Sequence, residues 1–317
     1  VWGLKRTSNK SLRMTTLWSE KYRPLHLADI HGHDKLRSLL MSAAKNKCRG
    51  LPPLILYGPP GTGKTSIAHA LAVDTYPNIS PILSSLYLNA SDERSIEVVR
   101  ERIFDFVRTR WPGIERKFVI FDEVETMTDQ AQLSLRALLD SEDDAVPKPL
   151  YIFLCNTLCR VHASIRSRAV AFFCGHLSSN IIRSSIQTVL TREQRKATDK
   201  SLPSDLSLQI LRGDLRQIYC KIQTGDDINE WEKWILRLLK CKKGSLAVWQ
   251  DGAAKLPISV LTRNVLIWLE MKKYFTNKEV IDVFVDAVFK VRDISADNAA
   301  LILSKAWDSS VAKIIKD

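Results

Sequence analysis

In the first half of the chain, short apolar runs alternate with longer stretches in which apolar residues return every three or four positions. The runs LPPLILYG (51–58), SLYLNA (85–90), RKFVIFDE (116–123), LYIFLCN (150–156) and AVAFFC (169–174) read as strands. Their near-continuous apolar character is expected where both faces of a sheet are covered. Between them, residues 64–76, 93–110 and 129–142 have the spacing of amphipathic helices. Ser91 and Asp92 stand where the N-terminal cap of the second of these helices belongs. Strand and helix in alternation predict an α/β unit built on a parallel sheet.

After about residue 176 the strand signal ends. Residues 178–194 and 204–223 read as a small helical unit, and Gly225-Asp226-Asp227 reads as a linker. From Glu230 onward the apolar spacing is helical again, in 230–243, 260–275, 278–291 and 296–307, which predicts a separate helical bundle whose Trp and Phe residues fill its core. The expected division is an α/β domain over 1–176, a small helical domain over 177–227 and a helical bundle over 228–317.

A chain of 317 residues is long enough for each of these units to bury its own core. The formal charge of +12 has two readings: contact with a polyanion such as nucleic acid, or a generic basic surface. Six cysteines form no C-x-x-C pair, as expected of reduced thiols. His31 and His33 lack a carboxylate or thiol cluster and read as a surface turn. No apolar run approaches the roughly 18 residues of a membrane span, so no membrane partner is expected. The first 14 residues are basic and hydroxyl-rich, and without a clear apolar helical face they read as a frayed arm instead of a transit peptide.

The chemistry-bearing residues lie at the ends of the predicted strands. Gly58-Pro59-Pro60-Gly61-Thr62-Gly63-Lys64-Thr65 matches the phosphate-binding loop G-x-x-x-x-G-K-[ST] directly after a strand and before a helix. Its glycines let backbone N–H groups turn toward phosphates, and the helix that follows points its positive end at them. ATP with Mg²⁺ is the expected ligand, with Lys64 neutralising the β- and γ-phosphates and the Thr65 hydroxyl holding the metal. Asp122 and Glu123 end another apolar strand. There Asp122 would orient Mg²⁺, directly or through water, and Glu123 would polarise the attacking water. Asn156, after a third strand, either holds the water or γ-phosphate or is an ordinary turn residue. Arg216 opens a helix of the small unit, where it either reports the γ-phosphate to the lid or is a solvated surface group.

Taken together, Trp18-Ser19-Glu20-Lys21-Tyr22-Arg23-Pro24, the loop 58–65, Leu88-Asn89-Ala90-Ser91-Asp92-Glu93-Arg94, Asp122-Glu123, Asn156, Ser167-Arg168 and Gly213-Asp214-Leu215-Arg216 resemble the small subunits of the sliding-clamp loader replication factor C, an AAA+ ATPase family. The resemblance is dense from about 17 to 222 and weak through the last bundle. It implies an AAA+ P-loop module with a parallel sheet, a helical lid and an all-helical collar. It also implies that Tyr22, Arg23 and Pro24 line the adenine side, that Asn156 and Arg216 act as the two sensors, and that Arg168 is an arginine finger reaching a neighbouring subunit's ATP in trans. For DNA it points to Arg94 and Arg160, and less directly to Arg100 and Arg136, as readers of phosphate geometry.

The function this implies is ATP-dependent loading of a sliding clamp onto primer-template DNA in replication and repair, within a hetero-pentamer in the nucleus. The second or fourth subunit matches best, because the phosphate loop is intact. Clamp contacts are expected near 103–111 and 126–136. Two other readings are a structural subunit that binds ATP with little turnover, and another AAA+ DNA remodeller such as a branch-migration motor. Four positions depart from the family pattern: Ala169 follows Arg168 where the family reads Cys, Ala137 replaces a second arginine after Arg136, and Val124-Glu125 stands in place of Ala-Asp.

Overall fold

The computed structural model describes residues 16–90, 96–140, 148–195, 202–241, 245–255, 257–271, 278–291 and 295–311. The first helix, α1 (Trp18–Lys21), is followed by α2 (Asp34–Lys45), strand β1 (Leu54–Tyr57), α3 (Lys64–Thr75), α4 (Pro81–Ser84), β2 (Ser85–Asn89) and α5 (Ile96–Arg108). Then come β3 (Phe118–Asp122), α6 (Asp129–Asp140), β4 (Leu150–Cys155), α7 (Ala163–Arg166) and β5 (Val170–Phe173). The remainder is helical: α8 (Ser179–Arg192), α9 (Asp205–Ile210), α10 (Leu215–Thr224), α11 (Glu230–Lys240), α12 (Leu246–Ala253), α13 (Ile258–Met271), α14 (Lys278–Lys290) and α15 (Ala296–Ala306).

The five strands form one parallel sheet in the order β2-β3-β4-β1-β5. Its three central strands obey the period of two with both faces buried. Leu54, Leu56, Phe118, Ile120, Leu150, Ile152 and Leu154 pack with α2 and α3. The alternate residues Ile55, Val119, Phe121, Tyr151, Phe153 and Cys155 pack with α5, α6 and α7. This double burial is the physical reason for the near-continuous apolar runs. The first strand is shorter than expected because Pro52 and Pro53 have no N–H to give a ladder, so pairing starts at Leu54. Because every strand runs the same way, the carboxyl ends of β1, β3 and β4 open on one side, where ligands sit in sheets of this kind.

A third cluster joins Trp18 to Ile182, Ile186 and Val189 of α8, Leu208 of α9, and Ile218 and Ile222 of α10. A fourth joins the other side of α9, Leu206 and Ile210, to the helices from α11 onward. Trp231, Trp234, Trp249 and Trp307 run through this cluster as successive edge-to-face contacts. The tryptophans thus fill the bundle as expected, whereas Phe289 is 70% exposed. No helix among the described residues is long and apolar enough to cross a membrane.

Candidate nucleotide-binding site

The loop after β1 is built on backbone that only glycine adopts without strain. Gly58, Gly61 and Gly63 have φ of +147°, +71° and +95°. A Cβ at Gly58 would lie 2.1 Å from the Cys174 carbonyl oxygen, and one at Gly61 would lie 2.0 Å from Asp214 Oδ1, so both backbones pass too close for a side chain. A Cβ at Gly63 would meet nothing within 4 Å; its conformation opens α3 onto free space. Thr62 Oγ1 donates to the Pro59 carbonyl at 2.9 Å, which closes the loop.

Lys64 is the first residue of α3 and is buried. Its ammonium donates to the carbonyls of Gly58 at 2.7 Å and Pro59 at 2.8 Å and to Asn156 Oδ1 at 3.1 Å. Burial pushes this ammonium below the ordinary lysine value, against the pull of nearby acidic groups that include Asp122 and Glu125. An arriving polyphosphate would relieve that penalty. Thr65 Oγ1 donates to Asp122 Oδ2 at 3.0 Å, and Tyr87 donates to the same oxygen. The backbone N–H of Glu123 donates to Asp122 Oδ1 at 2.9 Å. Burial and the Asp122 bond hold the Tyr87 hydroxyl well above its ordinary value, so it remains a donor.

Glu123 sits just past β3 at φ +55°, exposed beside the cavity. Glu125 Oε1 accepts from the Asn156 N–H at 2.7 Å, while its Oε2 is buried without a partner among the described residues. The cavity has a volume of 260 Å³. Its floor is the loop from Pro60 to Thr65, with Asp122, Glu123 and Asn156 at one side and Arg216 reaching in from α10. Tyr22, Arg23 and Pro24 line it as well. Tyr22 is fixed by a 2.6 Å bond to Glu193, just past α8, and Arg23 by a 2.7 Å bond to Glu20. His31 also lines the cavity, and His33 Nε2 lies 3.1 Å from the Thr62 carbonyl oxygen, so the turn read as mere surface supports the phosphate loop.

Other expected site residues lie elsewhere. Arg168 is not in the cavity lining; both ends of its guanidinium meet the Asp140 carboxylate, with Nη2 at 2.9 Å from Oδ2. Asp140 also pairs with Arg136 at 3.2 Å, and the two cations, Arg168 first, hold it below the ordinary aspartate value. Arg160 lies exposed in the short turn after β4, and Arg100 is half-buried on α5. Arg94 and the proposed cap Ser91-Asp92 fall outside the described residues. Phe104, Trp111 and Leu133, within the segments expected to meet a clamp, are exposed.

Sequence reasoning missed Tyr87, Glu125, Asp140 and Glu193. Tyr87 was counted as one more residue of a strand, and the others act through partners distant in sequence. The hydroxyl and carboxylate donors of Thr65 and Asp122 are the hard oxygen set that suits Mg²⁺, and the buried ammonium with the open helix end suits a polyphosphate.

A sequence profile described as the ATPase family associated with various cellular activities (AAA) matches residues 54–174. Replication factor C subunit 4 of Caenorhabditis elegans is 35% identical over 222 residues, 68% of this chain and 64% of that protein. The replication factor C small subunit of Haloarcula marismortui is 33% identical over 218 residues, 68% of this chain and 65% of that protein. The chain thus spans just under two thirds of the length of these relatives. Among solved structures, the Holliday junction branch migration motor RuvB of Thermotoga maritima aligns with a TM-score of 0.51 at 17% identity, over 90% of each chain, which shows a shared fold. With its parallel sheet, phosphate loop, helical lid and helical bundle, the chain has the AAA+ P-loop ATPase fold and is similar in sequence to the small subunits of replication factor C.

Proposed function

We propose that this chain is an ATP-hydrolysing subunit of a clamp loader, a hetro-pentamer that opens a ring-shaped sliding clamp and places it on primer-template DNA. The observation that carries the ATPase part is the meeting of two bonded pairs, Lys64 with Asn156 and Thr65 with Asp122, in one cavity at the carboxyl ends of three parallel strands. Thr65 and Asp122 would hold Mg²⁺, which when bound supplies positive charge to the phosphate oxygens. Lys64 would exchange its carbonyl partners for the β- and γ-phosphates. Glu123, free of the strand ladder and beside the cavity, would orient and polarise the attacking water, with Asn156 holding it in line. Arg216 would couple occupancy of the cavity to the lid.

The remaining parts rest on the relationship to replication factor C. Arg168 would leave Asp140 and reach the ATP of a neighbouring subunit, and Arg94, Arg100, Arg136 and Arg160 would meet the phosphate backbone of DNA. Residues 103–111 and 126–136 would face the clamp. The three units 1–176, 177–227 and 228–317 would serve as motor, lid and collar. The intact phosphate loop favours the second or fourth subunit of a eukaryotic loader, working in the nucleus. The likeness to RuvB is one of fold and gives no support to a branch-migration role.

The test is ATP hydrolysis by the assembled complex, with and without clamp and primer-template DNA, for wild type and Glu123→Gln. Stimulated turnover in wild type should fall about 100-fold at this subunit's site in the variant, the scale of a lost general base. Unchanged turnover would make the chain an ATP-binding structural subunit.

A further inference from the structure

Asp122 accepts three hydrogen bonds. An ionised carboxylate offers about four acceptor sites. Thr65 and Tyr87 take both on Oδ2, and the Glu123 N–H takes one on Oδ1. Among the described residues one acceptor direction is left.

Tyr87 reaches this place through sheet register. It pairs with Ile120 on β3, and Asp122 lies two residues further along the same face, a diagonal neighbour within reach of a long side chain. That face is the one covered by α3, and there the His69 ring stacks on Tyr87, with centroids 5.0 Å apart and planes 17° apart. Ring and hydroxyl are thus each held by a different element, α3 and β3.

We propose that Tyr87 is a positioning residue for the metal-binding carboxylate, fixing Asp122 so that its one remaining acceptor direction serves the metal or the metal's water, with His69 holding the Tyr87 ring. This rests on the reading of Asp122 as a metal-binding group. Tyr87 itself does not line the cavity, so it acts through Asp122 and not on the nucleotide.

The test measures Mn²⁺ affinity of the full chain by the paramagnetic resonance signal of free Mn²⁺, with a non-hydrolysable ATP analogue saturating the site. Affinity for the same analogue in EDTA is measured in parallel. Tyr87→Phe keeps the stacked ring and removes the hydroxyl. It should weaken Mn²⁺ binding about tenfold, the scale of lost outer-shell partners, while metal-free nucleotide affinity stays within about twofold. His69→Ala should weaken Mn²⁺ binding in the same direction, and His69→Phe, which preserves a stacking ring, should restore it. Unchanged or tighter Mn²⁺ binding in Tyr87→Phe overturns the proposal, as does an equal loss of nucleotide affinity with and without metal. Asp122→Asn separates the two readings. If it leaves Mn²⁺ binding intact, the metal-site reading itself fails; if it abolishes binding while Tyr87→Phe does not weaken it, only the role of Tyr87 fails.

Discussion

At the scale of the residue, much of the site consists of charges held by specific partners, and such pairs also occur away from it. His26 shows this outside the cavity. Its Nδ1 lies 2.7 Å from Asp74 Oδ1, and Asp74 Oδ2 accepts from the Leu27 N–H at 2.8 Å. The hydrogen bond to Asp74, helped by its charge, holds the imidazolium above the ordinary value of 6.5. A histidine raised in the fold binds its proton more tightly there than in the unfolded chain. Its stabilisation is therefore complete below 6.5 and is lost as pH rises through the raised value. The melting-temperature difference between wild type and His26→Gln should be positive below that pH and shrink above it. A difference that grows with pH would show the pair to be absent. Single residues also mark the limit of what the sequence made legible. The phosphate loop, Asp122-Glu123 and Asn156 are visible because local spacing encodes them. The bonds of Tyr87 to Asp122, Glu125 to Asn156 and Glu193 to Tyr22 join positions 35, 31 and 171 apart, and no local pattern encodes such pairings.

At the scale of the element, the five strands were legible because burial on both faces leaves continuous apolar runs. The short helices α4 and α7 were not, since one turn has no periodicity to read. The phosphate loop and the lid meet where Gly61 passes against Asp214, a buried residue that caps α10 by accepting from the Arg216 and Gln217 N–H groups. Gly61→Ala would combine a strained positive φ with a clash against that cap. It should cost about 2 kcal/mol of stability, from roughly 1 kcal/mol for the backbone and roughly 1 kcal/mol for a displaced cap. Thermal unfolding would measure this, and nucleotide affinity should fall with it. Asp214→Ala alone should cost about 1 kcal/mol. Helix α9 shows why unit boundaries were harder to read than helices: Leu208 packs toward the lid while Leu206 and Ile210 pack toward the bundle.

At the scale of the whole molecule, the pairing of Arg168 with Asp140 bears on assembly. To act as the proposed finger, Arg168 has first to leave a bidentate carboxylate on its own chain. Removing that carboxylate should favour association. In sedimentation experiments with ATP present, Asp140→Asn should assemble with its neighbours at about threefold lower concentration, the scale of one exposed ion pair. Arg168→Ala should assemble less well than either. Equal assembly by wild type and Asp140→Asn would mean that the pair persists in the complex.

The first helix has a consequence of another kind. Trp18 is buried in the lid cluster, its backbone N–H donates to Gln223 Oε1 at 2.9 Å, and Arg195 lies over its ring at 4.9 Å. Tyr22 and Arg23, four and five residues further on, line the cavity, and Leu27 is already in the sheet's core. The lid is therefore not a transplantable cassette. A chimera that exchanged only α8 to α10 with a relative would leave a foreign tryptophan in their hydrophobic centre, so α1 and these helices must be inherited together.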